Sequence, residues 1–532
     1  MTTILTNQGW NGSKNGSWSN NSDIVNDSTG DISVNSKAIV NTLAGKDYIV
    51  GFFGKSNDWR NAGVRNNDGT IDTGADDDII AGIIDGAGKG IYDASKIYTG
   101  LGNDVVLGKG GVWSIYNDFK AIINTGDGND IVDGTTSSGY GIHNSGIIDT
   151  GNGNDKISGS GSFTGIVNEN AQINTGAGKD SIVGQIGITS DYRTSGISNL
   201  GGIIDTGSDD DTITGSCSGG AGGGIYNNRT GTINTGDGND TITGTGSGWH
   251  GISNEFNASI KTGAGNDKIS GTTKGNYGIY NSGTIDAGDG NDSIFGEGSF
   301  HGIMINSQNA QINTGAGTDS IIGRIGTTND YRTSGINNTG GTINTGSDDD
   351  TITGSSGGVG SGIINSGKID TGNGNDAITG VGGNSIIAGA KATGIINRRG
   401  ASINTGDGND LITGGGVLGV FNDGTIDTGS GSDRVIANGG FGGNGSVFLG
   451  TGDDYLKGFG SGTFDGGVGT DRLELTKGTY TVGRSGATVT FTQAGTGIRM
   501  VTTGFEILMA GINGATAYNF AGLTSGQTIT AV

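Results

Sequence analysis

Ile148-Asp149-Thr150-Gly151-Asn152-Gly153-Asn154-Asp155-Lys156-Ile157-Ser158-Gly159 returns along the chain with small changes, for instance as Ile233-Asn234-Thr235-Gly236-Asp237-Gly238-Asn239-Asp240-Thr241-Ile242-Thr243-Gly244. The last acid of the turn falls at Asp47, Asp78, Asp104, Asp130, Asp155, Asp180, Asp211, Asp240, Asp267, Asp292, Asp319, Asp350, Asp376, Asp410, Asp433, Asp454 and Asp471, which makes 17 copies. Most intervals lie between 25 and 31 residues, one is 34, and the final ones shrink to 23, 21 and 17. Between the turns sits a second motif, as in Gly141-Ile142-His143-Asn144, Gly165-Ile166-Val167-Asn168, Gly278-Ile279-Tyr280-Asn281 and Gly362-Ile363-Ile364-Asn365. Each period therefore carries about three short β-prone segments separated by Gly, Asn, Asp and Ser. Segments this short cannot stand alone, and each offers only one or two Ile to a core. Stacking successive periods pairs every strand with its equivalent in the next coil and lines the Ile up in inward columns. The pattern predicts an all-β chain, a parallel β-solenoid of about 25 residues and three short strands per coil, right-handed by the usual preference of crossovers. At about 4.8 Å per coil, 17 coils give a rod on the order of 80 Å long.

Composition agrees. Of 532 residues, 116 are Gly and none is Pro. Disordered chains rarely exclude Pro, whereas an array that uses almost every backbone N–H must. Collagen is excluded by the missing Pro and the missing three-residue period. The charge balance, 29 − 52 = −23, repels nucleic acid and attracts cations. Cys217 is the sole cysteine, so no internal disulfide contributes. No apolar run approaches the roughly 18 residues of a spanning helix. Met1-Thr2-Thr3-Ile4-Leu5-Thr6-Asn7 lacks the basic-then-apolar pattern of a conventional secretion signal.

The turn Thr125-Gly126-Asp127-Gly128-Asn129-Asp130 carries the chemistry. Two Gly at alternate positions permit left-handed backbone, so several carbonyl oxygens can face one side while the terminal Asp closes the group. Stacked once per coil, these hard oxygens suit Ca²⁺, with six to eight ligands and tolerance of irregular geometry. Mg²⁺ wants a tighter octahedron, and softer metals want clustered His and Cys. About 12 divalent ions would offset −23. The expected metal residues are the terminal Asp from Asp78 to Asp471, with a weaker claim for Asp47. Asp76, Asp209 and Asp348 replace the second turn Gly and Leu43 replaces the first, which sets those four turns apart. Asn144, Asn168, Asn281 and Asn365 read instead as a stacked ladder satisfying backbone groups at a corner.

Gly466-Gly467-Val468-Gly469-Thr470-Asp471-Arg472-Leu473-Glu474 resembles the nonapeptide repeat of RTX, or hemolysin-type, calcium-binding proteins, and Gly450-Thr451-Gly452-Asp453-Asp454-Tyr455-Leu456 is close to it. The earlier turns differ in having Thr for the first Gly and longer coils. The likeness covers roughly residues 40–475. It implies Ca²⁺ held by turn carbonyls and the final Asp between neighbouring coils, folding after export, and a one-step type I exporter guided by an uncleaved C-terminal segment. The style of the coils is also similar to oscillin-type surface fibril proteins of gliding filamentous cyanobacteria. That likeness implies an extracellular, self-associating cell-surface component, such as an S-layer, sheath or fibril, linked to gliding.

Residues 1–38 are expected to cap one end or stay flexible, 39–475 to form the solenoid, and 476–532 to form a β cap and export signal. In the last segment Thr479–Val482, Ala487–Phe491 and Ala517–Phe520 have strand character ahead of the hydroxyl-rich tail 528–532. No His-Glu-x-x-His exists, and His143, His250 and His301 are far apart in sequence. Gly354-Ser355-Ser356-Gly357-Gly358 matches a lipase-type motif but opens no helix, so no enzyme is expected. Asp191-Tyr192-Arg193 recurs as Asp330-Tyr331-Arg332 within a block copied 139 residues on. The alternatives are a calcium-dependent adhesin whose Tyr192, Tyr331 and Trp249 stack on surface glycans, and a polysaccharide lyase or epimerase. An ice-binding row of Thr is not seen, since the exposed third turn position runs Ala75, Leu101, Asp127, Asn152, Ala177, Ser208.

Overall fold

The computed structural model describes residues 32–34, 39–387, 390–510 and 516–532, and the backbone of short strands at 2–5, 10–12, 16–17 and 23–27. The chain is an all-β parallel β-solenoid, and it divides into a unit at 1–275 and a unit at 276–532. Among the described residues no helix is long and apolar enough to cross a membrane.

In the first unit a representative coil runs Ile131–Thr135, Tyr140–Asn144, Ile147–Asp149 and then the turn. Each strand pairs in parallel with its counterpart one coil on: Val132 opposite Ile157, Ile142 opposite Ile166, Ile148 opposite Ile173. The alternation of strand side chains sends these residues inward, where all six are fully buried. At about 1.5–3 kcal/mol per buried Ile, three per coil stabilise a coil only when its neighbours cover both open edges. Gly134 and Gly141 face each other across the interior. A Cβ on Gly134 would stand 2.3 Å from the Gly141 carbonyl oxygen, so the coil is pinched where both sheets carry Gly.

The corner after the second sheet is held by the asparagine ladder. Asn117 Nδ2 donates to Asn144 Oδ1 at 2.7 Å and to the Ile147 carbonyl at 2.9 Å, and Asn144 repeats this with Asn168 and Gln172. These side chains bond one another and the backbone, as a corner ladder requires. Asp93 stands in this ladder in place of an Asn, accepting from Asn66 Nδ2 at 2.7 Å, and burial pushes its carboxyl up to about 7. Within 1–38, strands Thr2–Leu5, Trp10–Gly12 and Gly16–Ser17 pair in parallel with Asp23–Asp27, Ile32–Val34 and Ile39–Asn41. Residues between them lie outside the described set, and with them the choice between cap and flexible segment.

The second unit repeats the three-strand coil, with Ile303 opposite Ile336 and Ile312 opposite Ile343. Its longest interval, from Asp376 to Asp410, carries an antiparallel excursion, Ile386–Ile387 with Ala390–Lys391. Near the end the pairing changes sense. Gly478–Ser485 runs antiparallel to both Thr488–Gln493 and Thr528–Ala531. Arg499–Thr503 and Ile507–Ala510 still add in parallel to Gly462–Asp465 and Arg472–Glu474. The antiparallel strands are thus grown from the last coil, and aromatic contacts such as Phe459–Tyr480, 4.6 Å between ring centroids, take over from the Ile columns.

Candidate metal centre along the acidic corner

In the turn Thr125–Asp130, Gly126 has φ +92° and Gly128 φ +152°. A Cβ on either would stand 1.8 Å and 1.5 Å from the carbonyl oxygens of Gly100 and Gly102 one coil back. The glycines therefore let each turn lie directly on the preceding turn's carbonyls. Asp76, Asp209 and Asp348 keep the left-handed backbone at φ 79–80°, as does Leu43 at φ 71°, so the four divergent turns retain the shape and bear the strain of a side chain there.

The terminal Asp residues form a buried column in each unit. In the first, the Asp78 N–H donates to Asp104 Oδ1 at 2.7 Å, Asp104 to Asp130 and Asp130 to Asp155 at 2.8 Å, and the series continues through Asp180, Asp211 and Asp240 to Asp267; Asp47 donates to Asp78 in the same way. In the second it runs from Asp292 through Asp319, Asp350, Asp376, Asp410, Asp433 and Asp454 to Asp471. There Glu506 ends it, accepting the Asp471 N–H at 2.8 Å.

One oxygen of each carboxylate from Asp78 to Asp267 and from Asp319 to Asp471 is thereby used. The other is buried and has no hydrogen-bond partner among the described residues in Asp78, Asp104, Asp130, Asp155, Asp180, Asp211 and Asp240, nor in Asp319, Asp350, Asp376, Asp410, Asp433, Asp454 and Asp471. Burial pushes the carboxyls of Asp78, Asp130 and Asp211 up to about 7, against the Thr hydroxyl of the same turn and the preceding N–H that pull them down. Asp180 and Asp240 rise to about 6 for the same reason, and neighbouring carboxylates add to the rise. An ionised column at about 4.8 Å spacing, with unsatisfied buried oxygens, is expensive unless cations answer it.

Other oxygens are at hand. Among the described residues, the carbonyls of Gly128 and Asn129 take no backbone hydrogen bond. No group of three or more His, Cys, Asp or Glu side chains could hold a metal by itself among those residues. The donor set is therefore one carboxylate per coil plus turn carbonyls, all hard oxygen, which fits Ca²⁺ better than any nitrogen- or sulfur-seeking ion.

The turn exterior is a separate layer. Asn129 and Asn154 donate their N–H to Asn103 Oδ1 and Asn129 Oδ1 at 2.9 and 2.7 Å, and Lys179 Nζ meets Asp210 Oδ2 at 2.6 Å. The third-position row in the first unit mixes Leu101, Asp127, Asn152, Ala177 and Ser208.

Every terminal Asp expected from the sequence lies in one of these columns; Glu506 was not expected, because no turn motif announces it. The Asp191-Tyr192-Arg193 and Asp330-Tyr331-Arg332 loops lie elsewhere, beside the second sheet. Gly354–Gly358 lies inside strand Thr351–Gly358, with Ser356 Oγ donating to the Gly357 carbonyl at 3.1 Å. His143 and His250, distant in sequence, line one groove of the first unit.

No family model and no curated protein matches the sequence. Among solved structures, the chain is similar to a hyperactive, Ca²⁺-dependent, β-helical antifreeze protein from an Antarctic bacterium, at 21% identity over 71% of this chain and 83% of that one, with a TM-score of 0.37.

Proposed function

We propose that this chain is a calcium-binding β-solenoid that works outside the cell as a structural component of the surface, without enzymatic activity. The observation that carries this reading is the column of buried carboxylates, in which Asp78 to Asp240 and Asp319 to Asp471 each have one oxygen engaged and the other without a hydrogen-bond partner among the described residues. Asp78, Asp104, Asp130, Asp155, Asp180, Asp211, Asp240 and Asp267 would hold the ions in the first unit. Asp292, Asp319, Asp350, Asp376, Asp410, Asp433, Asp454 and Asp471 would hold them in the second, each with turn carbonyls completing the shell. The bound ion supplies the positive charge that lets successive acidic turns close on one another. Where Ca²⁺ is scarce, as in cytoplasm, the coils stay open; where it is abundant, they set. That order suits export of a loose chain, followed by assembly at the surface into an array, sheath or fibril.

Calcium titration followed by circular dichroism tests it. The chelated protein at neutral pH should lack most of its β signal and regain it in millimolar Ca²⁺, and negative-stain images should then show lateral or end-to-end association. A chelated protein with an unchanged spectrum would remove the calcium reading. Isolated particles at all Ca²⁺ levels would remove the structural role.

A further inference from the structure

On the outer face of the second sheet, one row of the first unit reads Lys89, Trp113, Tyr140, Thr164, Ser195, Gly223, His250 from coil to coil. Bulk therefore falls away from Tyr140 to Gly223 and returns at His250. The result is a hollow of about 570 Å³ over five coils, about 19 Å at the strand spacing. Gly223 is in ordinary extended backbone, so its missing side chain is not demanded by the turn of the chain.

Aromatic rings stand at both ends. Tyr192, 59% exposed, is carried out on the loop after Ser181–Thr189, and its ring lies 5.7 Å from that of Trp249, 44% exposed. At the other end Tyr140 and His143 meet edge to face at 6.0 Å. The Tyr192 loop is stiff. Asp191 takes the Arg193 N–H at 3.0 Å and its guanidinium at 3.0 and 2.9 Å, and its carbonyl takes the Thr194 hydroxyl at 2.7 Å. A loop backbone held in this way loses little freedom when a ligand stacks on the ring it carries.

The groove carries no net positive charge. Arg193 is neutralised by Asp191, and Arg229 by Glu169 at 3.4 Å; Glu255 accepts the Ser253 hydroxyl at 2.7 Å. Burial holds the His250 ring far below the usual range, at about 4, so it is uncharged at neutral pH. Among the described residues of the groove no unanswered cation waits for an anionic ligand, and a chain of net charge −23 repels polyanions.

We propose that this groove binds a short, uncharged oligosaccharide, with Tyr192 and Trp249 stacking on sugar rings and Glu169, Arg229 and Glu255 bonding hydroxyls. Sugar rings present an apolar face and an equatorial rim of hydroxyls, which matches rings flanked by paired ions. The site is distinct from the acidic corner and does not depend on its metal reading.

The test uses the full chain in millimolar Ca²⁺ and, separately, in chelator, with tryptophan fluorescence and calorimetry as readouts. The probes are hexasaccharides of glucose (β-1,4 and α-1,4), mannose, xylose and galacturonate. At least one uncharged probe should bind. Trp249→Ala should weaken it about tenfold or more, corresponding to loss of one stacking contact. Gly223→Phe, which fills the hollow without removing any ring, should abolish it, while Phe119→Ala on the exposed surface should leave it unchanged. Circular dichroism of each variant establishes that the coil is intact. Binding of galacturonate alone, binding unaffected by both groove variants, or no binding by any probe would overturn the proposal. Loss of binding only in chelator would bear on calcium ordering of the coils and leave the groove assignment standing.

Discussion

Across the coils from 104 to 240, the corner offers Asp104, Asp130, Asp155, Asp180, Asp211 and Asp240 at one position, while the outer face of the second sheet offers Trp113, Tyr140, Thr164, Ser195 and Gly223. Both rows are stacked at the same spacing by the same strands. At the corner each residue contacts its copy in the next coil through its own backbone and carboxylate, so a change in one turn is felt by the next. On the face, the strands pair through backbone alone, and the side chains range from buried Thr164 and Ser195 to half-buried Trp113 and Tyr140. The corner thus fixes one residue type in every coil, whereas the face accepts different side chains from coil to coil, even where rings stack on one another.

Four experiments probe that contrast. The largest effect is expected at a turn glycine. Gly126→Val places a branched side chain at φ +92° and against the Gly100 carbonyl, which is backbone and cannot swing aside as a flexible side chain would. Chemical denaturation should show a loss on the order of 4 kcal/mol or more, in the class of changes that prevent folding. A loss near that of an ordinary surface change would mean the turns do not stack as described.

Next comes the carboxylate itself, whose effect should change sign with the metal. In chelator, Asp155→Asn removes a buried charge that burial already disfavours, so it should stabilise the chain; in Ca²⁺ it removes a ligand and should destabilise it, by about 1–3 kcal/mol in either direction. The pH profile follows the same logic. Asp78, Asp130 and Asp211 titrate near 7 in the folded chain against 3.8 ordinarily, so the metal-free fold is favoured below about 4 and progressively loses that stabilisation as pH rises to about 7. With Ca²⁺ present, protons compete for the same oxygens and acid should release the ion. Thermal melts at pH 5 and 8, with and without chelator, check both signs.

The smallest effect should come from the face. Tyr116 stacks on His143 at 4.9 Å and on Tyr92 at 5.9 Å, yet Tyr116→Ala should cost only about 1 kcal/mol. A melting-temperature loss as large as that of Gly126→Val would erase the distinction between corner and face.

The solenoid and its acid column were legible in the sequence because both repeat. A Thr-Gly-x-Gly-Asn-Asp turn announces itself without knowledge of its neighbours, and the asparagine ladder could be told from a ligand set by its place after an inward Ile. The face was not legible. Tyr140, Ser195, Gly223 and His250 share no residue type, and coils that vary from 25 to 31 residues hide their common register until the strands are paired. The same blindness made His143 and His250 look unrelated, and hid Glu506, which closes the column from the residue just before strand Ile507–Ala510, with no acidic turn motif ahead of it. Aromatic residues near Tyr192 could be noticed, but not the hollow that small side chains leave between them.

The central claim is that divalent cations occupy the acidic corner between consecutive turns. Anomalous diffraction from crystals grown in Ca²⁺ and soaked with Tb³⁺, a heavier ion of similar oxygen chemistry, addresses it directly. A row of anomalous peaks is expected within coordination distance of the second carboxylate oxygens of Asp104, Asp130 and Asp155 and of turn carbonyls. An ordered corner with no peaks, its carboxylates answered by water or by one another, would contradict it.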